Sequence, residues 1–394
     1  MTKGILAAVL LAAPLSAAPV PKDWPEPWTE LPPLAFKGGT VSSVAFSPDG
    51  MKFAVGCGRT VTVLDAKKWK EVEPKFSDEG NWRLTAMGLA FTPSSATLAY
   101  TSRLGYRTLS IAKDLSMGGY IDPAGFDAHR VLIGTEQVSE KFRLFRVIVT
   151  DGQQLTTFCA GEWHTAIHTR VGAKADRHKP CVLTWVPVRD AVLLHSAGQP
   201  KPPGASDFDI LYWLPNYDSE EPKFDNGQRL SGHKARPSAS GAAGDGTRLV
   251  TGDDGGEVIV WKPKLANKDV WEIGHRLTFA GGPFHTAQVV SLAVSPDAKR
   301  VAALVVGAPK KDEPKTAVRR VYVWNTDAKQ LPEPLWESKP EPASDCLGTV
   351  AFSVDGKTLA AAVASEADRK AKKPTGTVRR WQLGPKPAEP EPKK

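Results

Sequence analysis

The sequence predicts an all-β fold: a seven-bladed β-propeller of four-stranded antiparallel blades, its ring closed by an N-terminal strand. Three observations carry this reading. A strand-turn-strand phrase recurs along the chain, an alternating strand ending in a large apolar residue follows each turn, and the composition is poor in helix signals. Gly 34 and Pro 33 among 394 residues are more chain punctuation than helical proteins carry, and no long amphipathic helical period is present. With 41% hydrophobic and 24% charged residues, the chain can bury a large core.

In chain order, residues 1–18 read as a secretory signal: one Lys, an apolar run from Gly4 to Leu15, then small residues, with cleavage after Ala17 or Ala18. The run is shorter than the roughly 20 residues a membrane-spanning helix needs. No Cys follows it to take a lipid anchor, and the competing reading is an uncleaved anchor. No later segment is long and apolar enough to cross a membrane. The mature protein is therefore expected to be soluble and exported, periplasmic or secreted, without a membrane span. Residues 28–36, "WTELPPLAF", precede the first unit. They are expected to supply the outer strand that the last unit lacks, because only "QLGPKPAEPEPKK" follows Trp381, too rich in Pro for a paired inner strand. The propeller is thus bounded at 19–384, its units at about 37–384, with a disordered tail over 385–394.

The units announce themselves twice. Each has a turn between two apolar strands: Ser47-Pro48-Asp49-Gly50 in the first, Ser295-Pro296-Asp297-Ala298 in the sixth and Ser353-Val354-Asp355-Gly356 in the seventh. Thr92-Pro93-Ser94-Ser95 and Gly244-Asp245-Gly246 fill the slot in the second and fifth. Pro presets φ, and Asp and Gly tolerate the bend. A third strand then ends on a large apolar residue: Leu64, Ile111, Val149, Trp213, Trp261, Trp324 and Trp381. Alternation along these strands gives each one two faces to bury, as a sheet stacked between neighbours requires. From Leu64 to Trp381 the chain advances 317 residues in six intervals, about 53 per unit, a period that marks stacked blades. Residues 120–229 are the most divergent, which leaves six or eight blades as alternatives to seven.

At these residues the chain resembles the WD-repeat family. The fifth unit is most similar: "LSGH" (Leu230 to His233), "LVTGDDGG" and "VIVWK" carry a Gly-His pair, a turn Asp and a terminal Trp. By that resemblance His233, Thr251, Asp254 and Trp261 form the family's structural hydrogen-bond tetrad. The Asp254-to-Trp261 spacing is one residue longer than the family pattern, and no unit holds a literal Trp-Asp pair; Lys262, Asn325 or Gln382 stands second. The resemblance also implies that the loops joining second and third strands share one face. Three are enlarged: Ala197 to Asp207, Gly307 to Ala317 and Ser365 to Thr377. The last two collect Lys310, Lys311, Lys315, Arg369, Lys370, Lys372 and Lys373, with Arg319, Arg320, Arg379 and Arg380 just behind, and focus part of the net charge of +8. That basic sector is a candidate site for an acidic protein partner; its plainer reading is solvated loops kept soluble by Lys.

Other chemistry is weakly signalled. Cys57, Cys159, Cys181 and Cys346 lack metal-ligand spacing, so they are either disulfide partners or buried thiols. His164 and His168 lie four apart beside Glu162, with His178 following, but in a loop-and-strand setting where that spacing does not converge on a metal. His233, His275 and His285 are expected before first strands, in hydrogen-bonding roles. No nucleophile elbow or phosphate loop is present, and the basic loops lack the interleaved aromatics of single-strand nucleic-acid binders. The first strands "TVSSVAF", "AMGLAF", "VVSLAV" and "GTVAF" carry no acid or His, which counts against a metal in a central channel. The expectation is a monomeric, non-catalytic protein-interaction scaffold with no metal, cofactor or nucleic acid. The alternative is a propeller enzyme, hydrolase or lactonase-like, with a central-channel site.

Overall fold

The computed structural model describes residues 28–37, 39–58, 60–72, 76–77, 88–92, 95, 97–102, 105–110, 117–121, 130–138, 143–150, 155–161, 169–171, 182–186, 191–195, 208–213, 227–265, 270–279, 284–309, 317–326, 336–342, 348–363 and 375–383. Every regular element among them is a strand, as the alternating apolar patterns and Gly/Pro turns dictate.

The chain opens with β1 (Trp28–Lys37). The next strands, β2 (Val41–Phe46), β3 (Lys52–Cys57), β4 (Thr60–Asp65) and β5 (Phe76–Ser77), pair antiparallel in that order. So do β6 (Leu89–Phe91), β7 (Thr97–Ser102), β8 (Gly105–Ser110) and β9 (Met117–Ile121). β10 (Arg130–Val138), β11 (Arg143–Thr150), β12 (Leu155–Gly161) and β13 (Thr169–Val171) form a further sheet. Another comprises β14 (Val182–Val186), β15 (Ala191–His195), β16 (Ile210–Trp213) and β17 (Gly227–Leu230). Then follow β18 (Pro237–Ala242), β19 (Leu249–Asp253), β20 (Glu257–Pro263) and β21 (Trp271–Thr278). The next sheet runs β22 (Phe284–Val294), β23 (Arg300–Pro309), β24 (Val318–Asn325) and β25 (Trp336–Glu337), with β26 (Glu341–Pro342) also on β24. β27 (Val350–Phe352), β28 (Thr358–Val363) and β29 (Thr375–Leu383) end the chain, and β1 pairs with β29 as their fourth strand.

The cores lie between sheets. Along β3, Phe53, Val55 and Cys57 pack toward the last sheet, whereas Ala54 packs toward β6–β9. Along β23, Val301, Ala303 and Val305 face the β18–β21 sheet, whereas Ala302 and Leu304 face the last sheet. In β28, Leu359 and Ala361 face backward to β22–β25, and Ala360 and Ala362 forward to β2–β5. This period of two buries both faces of a sheet, so neither face can be polar. Small residues on the inner strands let the sheets approach closely. A Cβ on Gly376 of β29 would stand 2.5 Å from the Val41 amide nitrogen of β2.

Hydroxyls stitch the first strands of successive sheets together. The Val44 amide donates to Thr349 Oγ1 at 2.8 Å, and the Val350 amide to Ser291 Oγ at 3.2 Å. Ser238 Oγ donates to the Val289 carbonyl at 2.6 Å, and the Thr184 and Ser240 hydroxyls share a hydrogen bond of 2.6 Å. A lone β-strand edge would leave these amides unmet; here a neighbouring sheet meets them. The turns repeat one design: Ser47 Oγ donates to Asp49 Oδ1 (2.6 Å) and accepts the Lys52 amide (2.8 Å), with Ser295 and Asp297, and Ser353 and Asp355, doing the same.

The sheet of β22–β25 departs from its siblings. Its first hairpin pairs from Val294 and Val301 out to Phe284 and Pro309, well past the length of β2 and β3. Phe279 and Phe284 explain the extension: both rings pack on Tyr322 (centroids 5.0 and 6.3 Å), which stacks on Trp324. Gly307, where the enlarged loop was expected to begin, therefore lies within β23, and His285 lies within β22 rather than before it. His275 likewise falls in β21, a fourth strand. The expected signal segment at 1–18 and the expected tail at 385–394 lie outside the described residues. Among the described residues no helix is long and apolar enough to cross a membrane.

Candidate functional site

The fifth-unit signature residues meet where the lead-in to β18 crosses the β19–β20 hairpin. Thr251 and Asp253 lie two apart on β19, hence on one face; Trp261 comes from β20 and His233 from the lead-in. Trp261 Nε1 donates to Thr251 Oγ1 at 2.8 Å. The Thr251 hydroxyl lies 2.7 Å from His233 Nε2, and His233 Nδ1 lies 2.9 Å from Asp253 Oδ2. A carboxylate only accepts, so Nδ1 carries the hydrogen and the relay runs from Trp261 through Thr251 and His233 to Asp253. All four side chains are buried. Asp253 Oδ1 also takes the amides of Gly255 (3.0 Å) and Glu257 (2.8 Å), which shapes the hairpin turn.

The acid of this chain is thus Asp253, not the expected Asp254. Parity decides it: Asp254 follows the end of β19, and its side chain leaves on the other side. There Asp254 Oδ2 accepts Arg236 Nε at 2.8 Å, and Oδ1 accepts Gln288 Nε2 at 2.8 Å. The Asp254 amide donates to the Arg236 carbonyl at 2.9 Å, next to the irregular register at Pro237 and Ala239. Asp254 therefore ties the lead-in of one sheet to the first strand of the next. Gly256 closes the turn at φ 76°, and a Cβ there would stand 2.6 Å from Ala287 Cβ, so the position excludes other side chains.

His233, Asp253 and Glu257 bring possible ligand atoms within 4.8 Å of one another. Their chemistry is already committed, since both His233 nitrogens and both Asp253 oxygens are hydrogen-bonded. Glu257 Oε2 pairs with Arg276 Nη1 at 2.8 Å. The triad reads as structural cement rather than a metal cradle.

Arg236, Asp254 and Gln288 sit on the face where second strands pass to third strands, together with exposed Lys234, His285 and Thr286. The basic residues expected on that face, Lys310, Lys311, Lys315, Arg369, Lys370, Lys372 and Lys373, lie outside the described residues. The arginines placed behind them do not add to the sector as free charge. Arg319 is 3% and Arg380 6% exposed; Arg320 pairs with Glu337. Arg379 clamps Glu30 of β1 (3.0 Å) and Glu341 of β26 (2.7 Å). They are strand residues first, with their stems in sheet interfaces. His164, His168, His178, Cys181 and Cys346 fall outside the described residues, and nothing is described of the Cys159 side chain. Cys57 is a free, buried thiol, its Sγ 3.1 Å from the Gly39 carbonyl oxygen.

Antiparallel sheets of consecutive strands, cores between sheets and an N-terminal strand paired into the last sheet define a β-propeller. Residues 33–65 match the family model described as WD domain, G-beta repeat. The match falls on the first unit, from the end of β1 to the end of β4, rather than on the fifth. Among solved structures, the fold is similar to the crystal structure of the β-propeller domain of Cps50 (Swd1) from Myceliophteria thermophila. The TM-score is 0.61 at 10% identity, over 89% of this chain and 100% of that one. No curated protein matches the sequence. The fold is that of a β-propeller, and residues 33–65 carry a WD repeat.

Proposed function

We propose that this propeller is a ring of seven blades, shut by β1, that serves as a non-catalytic platform for protein association after export and removal of residues 1–18. The partner meets the face of the second-to-third strand loops. One observation carries the reading: on that face Arg236, Asp254 and Gln288 join adjacent sheets in a fixed polar cluster, beside the raised β22–β23 hairpin that leads into Lys310, Lys311 and Lys315. A rigid frame presenting loops of unequal length suits recognition, because little ordering entropy is lost on binding. Changing Lys310, Lys311, Lys372 and Lys373 together to Ser, then crosslinking in the native envelope fraction, tests it. Loss of a specific crosslinked protein with an unchanged unfolding midpoint supports the platform. An undiminished crosslinking pattern contradicts it.

A further inference from the structure

On the rim of the molecule each sheet ends in an outermost strand whose outward N–H and C=O groups meet no further strand among the described residues, and such an edge invites pairing with another chain. Most of these edges are guarded by their own sequence. β5 and β25 are two residues long, β13 three and β17 four, short enough to template nothing. β9 has five, with two glycines and a register break toward β8. β1 is ten residues long but carries Pro32 and Pro33 at a break in its register, and Pro offers a new partner no donor. β21 differs from all of these: it runs eight residues, Trp271–Thr278, without a Pro, and Ile273 on it is 37% exposed.

The second half of β21 is protected by its own residues. Its register with β20 skips Gly274, so the strand bulges there and twists away from a flat pairing. Beyond the bulge Arg276 Nη1 donates to the Gly232 carbonyl at 3.0 Å and pairs with Glu257 at 2.8 Å. The first half, Trp271 to Ile273, has neither device, and the charge of Glu272 is already taken by Lys262 of β20. What covers it comes from the preceding sheet. Gln228 of β17 reaches across the gap: its Nε2 donates to the Trp271 carbonyl at 2.8 Å, and its Oε1 accepts the Trp271 amide at 2.6 Å. One side-chain amide thus presents to Trp271 the donor and the acceptor that a neighbouring strand would present. The Trp271 ring is buried and packs on Tyr212 (centroids 5.6 Å), which fixes the backbone that Gln228 meets.

We propose that Gln228 is an autoinhibitory strand mimic: it occupies the backbone groups of Trp271 that would otherwise pair with β21 of a second copy of this chain. Two such edges set antiparallel about a two-fold axis bring Trp271 of each copy opposite Ile273 of the other, and the two residues share a face because they lie two apart, before the bulge. Glu272 falls opposite its own copy, each carboxylate beside the Lys262 it already pairs with. This self-matching covers the apolar Ile273 twice, which favours a second copy over a strand of unrelated sequence. With Gln228 in place the first rung of that ladder is filled, and the ring stays single.

The test is sedimentation velocity of the full-length protein over a concentration series. The parent should remain a monomer, and Gln228→Ala should self-associate at least about tenfold more tightly. Gln228→Met keeps the length and bulk of the side chain but loses both hydrogen bonds; it should associate in the same way, which separates an opened edge from a general loss of folding. Adding Ile273→Lys to either variant should restore the monomer, because Lys on an edge opposes pairing. Hydrogen exchange adds a local reading: residues 271–273 should exchange faster than in the parent when the variants are dilute, and slow again as the dimer forms. The quadruple Ser variant at Lys310, Lys311, Lys372 and Lys373 should sediment as the parent does, so this result is independent of the loop-face proposal. A Gln228→Met protein that associates no more than the parent would overturn the proposal. So would association that Ile273→Lys leaves intact, or a parent that already dimerises through β21.

Discussion

Two adjacent acids in one turn, Asp253 and Asp254, have opposite duties because a strand ends between them. Asp253 is buried and holds His233 and two backbone amides; Asp254 is partly exposed and bridges to Arg236 and Gln288. Asp253→Ala should cost about 3 kcal/mol, because it strands buried donors, and Asp254→Ala about 1 kcal/mol or less. Urea unfolding midpoints of the two variants check this; equal shifts would return the tetrad to Asp254. Sequence likeness placed the acid one residue too far along, at Asp254, whereas the alternation from Thr251 picks Asp253 directly. Cys57 offers a second residue-scale check. Burial pushes its thiol up to about 11, so the folded chain keeps the proton after the unfolded chain has lost it. The sign follows: the stability this thiol contributes is intact below pH 9 and fades between about pH 9 and 11, by about 2 to 3 kcal/mol in all. Cys57→Ala should flatten that alkaline decline in unfolding curves taken from pH 8 to 11. An unchanged slope would place the loss elsewhere.

At the scale of elements, sheets are held to one another by hydroxyl-amide bonds between first strands and by a charge clamp near the outer edge. Thr349→Val keeps the side-chain volume but leaves the Val44 amide without its acceptor, and should cost about 1 to 2 kcal/mol. Ser291→Ala should do the same to the Val350 amide. The two bonds share the last sheet but not a partner, so the double variant should lose close to the sum in denaturant titrations. No loss in Thr349→Val would mean that water serves the amide equally well. Arg379→Ala removes contacts to Glu30 and Glu341 that are roughly a third exposed. It should cost about 1 kcal/mol at low ionic strength and almost nothing in high salt; a salt-independent loss would mean that Arg379 acts through packing. The strands themselves were legible, since Ser-Pro-Asp-Gly turns and alternating apolar residues admit few other folds. The long β22–β23 hairpin was not. Its cause is aromatic packing of Phe279 and Phe284 on Tyr322, across a sheet boundary that strand periodicity does not reveal.

For the whole molecule, the decisive relation joins residues far apart in sequence: Trp28 opposite Leu383, through to Lys37 opposite Thr375. Such a contact carries a large loop-closure entropy, yet it joins the chain's first strand to its last sheet and gives β29 a second neighbour. That N-terminal strand was expected from the richness in Pro of the sequence after Trp381. The aromatic group that backs it, Trp28 with Trp336 and Phe352, and Trp336 with Trp381, was not, because it gathers residues from three distant stretches. Pepsin-resolved hydrogen exchange tests the account most directly. It predicts that the amides of β1 exchange as slowly as those of β28 and β29, and that Arg379→Ala/Trp28→Ala speeds exchange in β1 and β29 together. Exchange of residues 28–37 at free-chain rates while β29 stays protected would contradict it.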